Sequence, residues 1–332
     1  MEKLTISDIA ALVDVSTATI SNYLNGNYGR MSDKTKNKIE RMIAETNYIP
    51  SSSARSLATN NNRTIGVSVA DITNPFTSAI LSGIYKACEE LEYTVIFTNS
   101  NSNKLQEIDN INKLKRQEVS GLIIDPVDAD SPIFKTVNNS NAMMIDRQAT
   151  TVKIDTVVTD NFNAVKNFIH LMISAGYEDI YYVSWPIKQV STRMQRYAGF
   201  QNATNYKDNH CLEIDPQLTV AEVAHDLQSI MNENSRKKIG FFTMNGKVLT
   251  TLIYAMRSIN KQYAIDYGLG SYEDLDWMGI MEPGITCIHQ DSFGMGETAA
   301  RKLIKKLTQK KPSDDTAKLI VVPTTVSMRN SF

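Results

Sequence analysis

Over the first fifty positions apolar residues recur at helical spacing, whereas from Thr64 onward they gather into short runs separated by helical stretches. Residues 4 to 46 predict three short amphipathic helices. Thr5 with Asp8 three positions later reads as a helix-opening capping box, and Ile9, Ala10 and Val13 then share one face. That helix should end near Val13, with Asp14 and Val15 in a tight turn. Ser16 is a suitable N-cap for a second helix, Thr17–Leu24, which carries Ile20 and Leu24 at i and i+4. A third is expected from Ser32 to about Thr46, burying Ile39, Met42 and Ile43 while Lys34, Lys36 and Lys38 face out. Pro50 then opens about two helical turns to Ala58, and the polar spacer Thr59–Asn62 follows. A helix this short is marginal alone and needs a partner such as its symmetry mate.

The remainder predicts alternating strands and helices. Ile65–Ala70 reads as a strand, and Phe76–Leu91 as a helix with Ile80, Ile84, Ala87 and Leu91 in register. Further strands are expected at Thr94–Thr98, Leu122–Ile124, Met143–Ile145, Thr156–Val158, Ile180–Val183, Ile239–Phe242, Thr286–Ile288 and Leu319–Val322. Repeated β-α units imply parallel sheets covered on both faces, and about ten strands suffice for two such sheets. Ligands in these sheets sit beyond the C-terminal strand ends. Polar residues collect there: Asp71, Asn74, Ser100, Asp125, Asp146, Arg147, Asp160, Asn161, Arg193, Arg196, Asn245, Glu273, Asp274, Gln290 and Asp291. Such a lining suits a hydroxyl-rich, sugar-sized ligand, with Phe76 and Trp277 offering apolar faces.

Composition narrows the class without naming it. The chain has 332 residues, 42% hydrophobic and 21% charged, which fits two or three globular domains. Apolar runs reach only five residues, as in Ile9–Val13, so no membrane helix is expected, and no secretory signal is visible. Three separated cysteines fit reduced thiols and a cytoplasmic location. Net charge is −1, and neither the first 63 residues nor the rest departs far from neutrality, so any case for DNA rests on motifs. No P-loop, G-x-S-x-G elbow or His-Glu-x-x-His appears, so no enzyme activity is expected. Gly294-Met295-Gly296 matches a dinucleotide pattern only loosely and reads better as a turn into a helix from Met295 to Leu307. No cofactor or metal is expected: His210 and Cys211 are adjacent, His225 is isolated, and His170 and His289 read as core or interface residues. The lysines from Lys302 to Lys311 read as the solvated face and end of that helix.

Helix, short turn, helix is the geometry that lays a second helix into the major groove. Its exposed start offers Thr17, Ala18 and Asn22 to bases, since Asn pairs with adenine's N6 and N7 and small methyls touch thymine. Thr5, Ser16, Thr19, Ser21 and Tyr28 would bond phosphates. A plain solvated helix face is the competing reading. Leu57 suits a wedge between base steps, or an ordinary linker contact.

Taken in order, Thr5-Ile6-Ser7-Asp8-Ile9-Ala10, Val15-Ser16-Thr17-Ala18-Thr19-Ile20-Ser21, Leu24-Asn25-Gly26, Tyr48-Ile49-Pro50 and Ala54-Arg55-Ser56-Leu57 resemble the headpiece and hinge of the lactose/galactose repressor (LacI/GalR) family. The resemblance implies a helix-turn-helix headpiece at 1–49, a hinge helix and linker at 50–63, and a periplasmic-binding-protein-like core at 64–332. Within that core it implies an N-subdomain (64–160 and 292–322) and a C-subdomain (161–291 and 323–332). It further implies a homodimer on a palindromic operator, with Ser53, Ala54, Arg55 and Leu57 at the minor groove. Ala58 stands where many relatives have Lys. The effector site it implies comprises Asn74, Phe76, Ser100, Arg147, Asp160, Arg193, Arg196, Asn245, Glu273, Trp277 and Gln290. Three positions depart from the family pattern: Glu273 replaces a usual Asp, Gly246 a common Asp, and Thr77 a common aromatic.

Arg147, Arg193 and Arg196 together suit a carboxylate, which makes an acidic sugar the leading effector, although such arginines also serve to hold hinges. The segments Tyr23–Gly26 to Met31-Ser32 and Gln189–Arg193 resemble the ketodeoxygluconate-gene regulators of the family. The expected function is thus a dimeric, effector-switched transcription regulator of carbohydrate genes. A sugar-binding or sugar-converting protein with structural N-terminal helices is the alternative. No leucine heptads follow the last strand, so a dimer and not a tetramer is expected.

Overall fold

A computed structural model describes residues 4–24, 26–29, 31–48, 62–188, 190–205, 210–233, 237–309 and 316–332. The hinge candidates Ser53, Ala54, Arg55 and Leu57 lie outside the described residues. The chain forms two compact units, Met1–Arg63 and Thr64–Phe332.

In the first unit, α1 (Ile6–Val13), α2 (Thr17–Leu24) and α3 (Asp33–Thr46) enclose a small core of Ile9, Ala10, Val13, Ile20, Ile39 and Tyr48. Met42 and Ile43 pack against this core only partly buried. Asp14 ends α1 in the left-handed region (φ 59). Ser16 Oγ accepts the Thr19 amide at 3.2 Å, and Ser32 accepts that of Thr35 at 3.2 Å, so both following helices begin on hydroxyl caps. Lys34 and Lys38 of α3 are exposed, as their spacing suggests, and Lys36 is half-buried. Lys38 Nζ donates to the Val13 carbonyl at 2.6 Å, tying α3 to the end of α1, and Lys36 lies 4.3 Å from the Tyr28 ring centroid.

The second unit contains two six-stranded sheets. The first is wholly parallel: β1 (Thr64–Val69), β2 (Thr94–Asn99), β3 (Gly121–Ile124), β4 (Ala142–Ile145), β5 (Thr156–Thr159) and β11 (Leu319–Val322), in the order β11-β5-β4-β3-β1-β2. The second holds β6 (Asp179–Ser184), β7 (Cys211–Glu213), β8 (Ile239–Thr243), β9 (Gly268–Tyr272), β10 (Thr286–Gln290) and β12 (Thr324–Ser327), ordered β12-β10-β9-β8-β6-β7. Strand β12 pairs antiparallel with β10, which departs from the all-parallel expectation. The chain therefore changes sheets between β5 and β6, between β10 and β11, and between β11 and β12.

Helices cover the sheets as β-α-β connection requires: α4 (Pro75–Glu90), α5 (Lys104–Arg116), α6 (Asn161–Ser174), α7 (Ser191–Ala203), α8 (Val220–Glu233), α9 (Gly246–Ser258), the short α10 (Asp276–Ile280) and α11 (Ser292–Thr308). The Gly294 motif lies in the first turn of α11, where Asp291 Oδ1 accepts the Gly294 amide at 2.7 Å. The helix thus starts three residues before the expected Met295. His170 and His289 are exposed on this chain and do not enter its core. No helix among the described residues is long and apolar enough to cross a membrane.

Candidate functional site

On α2, Thr17, Ala18 and Asn22 are exposed, as a base-reading surface requires, while Thr19 and Ser21 are half-buried. The hydroxyl candidates around them are already engaged. Ser16 and Thr19 share a hydrogen bond at 2.9 Å, and Tyr28 is exposed beneath Lys36. Thr5 spends both donors on Asp8, its amide and hydroxyl each 2.7 Å from Oδ2, and these bonds hold the Asp8 carboxyl below its usual range. The structure therefore uses Thr5 as a cap, with no donor left over for a phosphate.

The strand ends of the two sheets bring most of the second candidate set together. Hydrogen bonds among the described residues join one subdomain to the other, including Gln195 Nε2 to Gln148 Oε1 at 3.3 Å. Lys247 Nζ reaches Asp71 Oδ2 at 2.8 Å and Thr73 Oγ1 at 3.2 Å. The Gln148 amide donates to Ser191 Oγ at 2.9 Å, and Thr159 and Tyr272 share a bond at 2.9 Å. Beside these contacts Pro75, Phe76, Glu273 and Gln290 line a cavity of about 190 Å³. Gln290 is buried, and its Oε1 has no partner among the described residues.

Asn74, Asp160 and Asn245 cap α4, α6 and α9: Asn74 Oδ1 accepts from Phe76 at 3.1 Å, Asp160 Oδ1 from Asn163 at 3.1 Å, and Asn245 Oδ1 from Val248 at 2.9 Å. Their positions follow from helix starts at strand ends, and the second oxygen of Asp160 accepts from Asn163 Nδ2 at 2.8 Å. Two candidates stand elsewhere. Ser100 is fully buried and accepts from Asn110 Nδ2 at 3.2 Å, so it supports the wall from behind. Trp277, on α10, lines a separate cavity of about 290 Å³ with Tyr254, Arg257 and Met281, because its short helix turns it toward the outer side of α9.

The three arginines are held differently. Arg196 is buried: its Nε donates to Asn161 Oδ1 and its Nη1 to the Met244 carbonyl, both at 2.8 Å, with the guanidinium 3.6 Å from the Tyr272 ring centroid. Arg193 Nη1 donates to the Pro186 carbonyl at 2.8 Å, and the guanidinium lies 5.4 Å from the Trp185 ring. Burial, and then the charge of Arg147, push the Arg193 guanidinium down to about 10. Arg147 Nη1 bonds the Val127 carbonyl, while its buried Nε has no partner among the described residues. No ion pair within 4.0 Å involves any of the three among the described residues.

Carboxylates nearby are buried as well. Glu273 Oε2 accepts the Gly246 amide at 2.9 Å, and burial raises its pKa to about 7. A Cβ on Gly246 would stand 3.1 Å from that same oxygen. The two departures at 246 and 273 are thus one arrangement, in which Glu273 fills the space beside α9. Asp125 and Glu107 are also raised to about 7 by burial, against the opposing charge of Arg147. Asp146 (φ 69) and Glu273 (φ 85) hold left-handed backbone, a form of strain that concentrates at binding sites. Lys247, Gln148, Gln195 and Tyr272 were not singled out as site residues, since a lysine and a glutamine inside helices, a glutamine in a loop and an apolar strand end carry no spacing signal.

A three-helix headpiece with a polar, exposed second helix, followed by two α/β subdomains closing on a polar cleft, defines a DNA-binding protein that answers to a small ligand. Comparison with known proteins agrees. Residues 5–51 match the model of the bacterial regulatory proteins of the lacI family, and residues 62–233 match that of the periplasmic binding proteins and sugar binding domain of the LacI family. The chain is 30% identical over 321 residues to the HTH-type transcriptional regulator KdgR of Bacillus subtilis, covering 95% of this chain and 94% of that one. It is 29% identical over 310 residues to the regulator PtxS of Pseudomonas putida, covering 92% and 90%. A lac repressor dimer bound to operator and the anti-inducer ONPF shares the fold at a TM-score of 0.83, with 22% identity and 99% of each chain covered. The chain belongs to the lacI family and is a DNA-binding transcriptional regulator.

Proposed function

We propose that the protein is a cytoplasmic, dimeric repressor of sugar-acid utilisation genes, without a catalytic step of its own. In this reading residues 1–49 read a palindromic operator through Thr17, Ala18 and Asn22 of α2, as the operator-bound lac repressor dimer encourages. Residues 50–63 supply the hinge with Leu57 as the wedge, and an acidic sugar in the cleft switches the core. The observation that carries the effector class is the gathering of Arg147, Arg193 and Arg196 at one cleft with no ion pair among the described residues. Three buried or half-buried cations in one place are costly unless an anion joins them.

The test is a thermal-shift screen of the full chain with gluconate, galacturonate, glucuronate and ketodeoxygluconate against glucose, ribose and sorbitol. A ligand of the folded state raises its apparent stability by RT ln(1 + [L]/Kd). Stabilisation by an acid at concentrations where neutral sugars do nothing supports the reading. Stabilisation by neutral sugars alone overturns it.

A further inference from the structure

We infer that Arg147 and Arg193 form the carboxylate clamp of this cleft, one from each subdomain, and that Arg196 is a positioning residue. The inference rests on the acidic-effector reading and adds which guanidinium edges meet the anion. A carboxylate is gripped by two parallel N–H groups, most specifically along the Nε/Nη2 edge or the Nη1/Nη2 edge of arginine.

Arg147 and Arg193 are anchored alike. Each gives Nη1 to a backbone carbonyl, that of Val127 or Pro186, and neither Nε nor Nη2 of either has a protein partner among the described residues. Each keeps its side edge unspent, and the Nε of Arg147 is buried and bare, an arrangement that costs stability until an acceptor arrives. Arg196 is arranged in reverse. Its Nε is closed by Asn161, its Nη1 already serves Met244, and Tyr272 covers one face. Asn161 in turn donates to the Thr159 carbonyl at 3.2 Å, so Arg196 bolts the start of α6 to the ends of β5 and β8.

The two open edges belong to opposite sides of the cleft yet are held near each other. Gln148, next to Arg147, bonds Ser191 at 2.9 Å, and its side chain accepts from Gln195 Nε2 at 3.3 Å, which places both segments of α7 flanking Arg193 against the Arg147 loop. Like charges so placed repel, which adds to the burial that chiefly lowers the Arg193 guanidinium. An anion bonded to both edges converts the repulsion into a bridge. The carboxylate then draws the subdomains together, while the sugar hydroxyls occupy the polar groups of Gln290 and Asn245.

Titration of full-length wild type, Arg147→Gln, Arg193→Gln and Arg196→Gln with the acids named above, each compared with sorbitol, tests the assignment. The expected result is a loss of about 30-fold or more in acid affinity for Arg147→Gln and for Arg193→Gln, the scale for truncating one partner of a desolvated charge pair. Their ligand-free unfolding midpoints should equal or exceed wild type, since a bare or repelling guanidinium is removed. Arg196→Gln should instead lower the midpoint and weaken acid and sorbitol by the same factor, leaving the acid preference intact. Arg193→Lys, which keeps the charge and loses the fork, should recover only part of the affinity. If wild type binds no acid, the effector reading itself fails and the clamp with it. If wild type binds an acid that Arg147→Gln and Arg193→Gln bind equally well, or if Arg196→Gln alone abolishes the preference, the clamp assignment is overturned and the effector reading stands.

Discussion

At the residue scale the cleft is governed by ionisable groups whose burial sets their behaviour, and Glu273 is the clearest. Its carboxyl is raised from 4.5 to about 7, so the folded chain holds a proton that the unfolded chain has released between those values. The unfolded state then binds fewer protons, and stability falls as pH rises through that window. A shift of this size corresponds to on the order of 3 kcal/mol at full ionisation. Glu273→Gln keeps an oxygen for the Gly246 amide and removes the titration. Its unfolding midpoint should match wild type near pH 4 and exceed it by several degrees at pH 8, and a difference that does not vary with pH would count against burial as the cause. The sequence made 246 and 273 visible as separate departures from the family pattern. Their coupling through one hydrogen bond was not legible, because residues 27 apart in the chain meet only once β9 lies beside β8.

At the element scale, legibility followed the hydrophobic period. Helices α1 to α3 and strands β1 to β6 were readable because their apolar residues recur at 3.6 or gather in short runs. Strand β9 was not, since Gly268 and Gly270 resemble a turn. Both are glycine because the Tyr177 and Phe168 rings press on the strand, each 2.3 Å from where a Cβ would stand. Strands β7 and β12 escaped because they are short edges with half-exposed residues. At the other end of the chain, the capping box of α1 was legible in sequence, but its cost was not: a hydroxyl committed to Asp8 is unavailable to DNA. Thr5→Ala should destabilise the headpiece by about 1 kcal/mol. Operator affinity, measured where variant and wild type are both folded, should remain unchanged, since no phosphate contact is lost. A loss of about fivefold or more, the scale of one hydrogen bond, would restore Thr5 to the DNA surface.

At the scale of the whole molecule, function depends on how readily the two subdomains part, and the hydrogen bonds named across the cleft bear on that balance. Lys247 and Asp71 are half-exposed, and burial raises the Asp71 carboxyl less than Lys247 and Thr73 lower it, leaving it below its usual range. An ion pair this accessible is worth at most about 1 kcal/mol, which is about fivefold in the balance between closed and open cores. Gln148–Ser191 and Thr159–Tyr272, being uncharged and less exposed to salt, set the remainder. Lys247→Met should therefore speed effector release by about fivefold in 0.15 M salt, measured by stopped-flow dilution, with the effect fading toward 1 M as screening removes the wild-type advantage. Linkage requires that whatever factor the effector imposes on operator affinity, the operator imposes on effector affinity. A latch that shifts only the closed population must then move both by the same amount. If Lys247→Met altered release equally at every salt concentration, the pair would be acting through packing, and closure would rest on the neutral contacts and the arginine clamp alone.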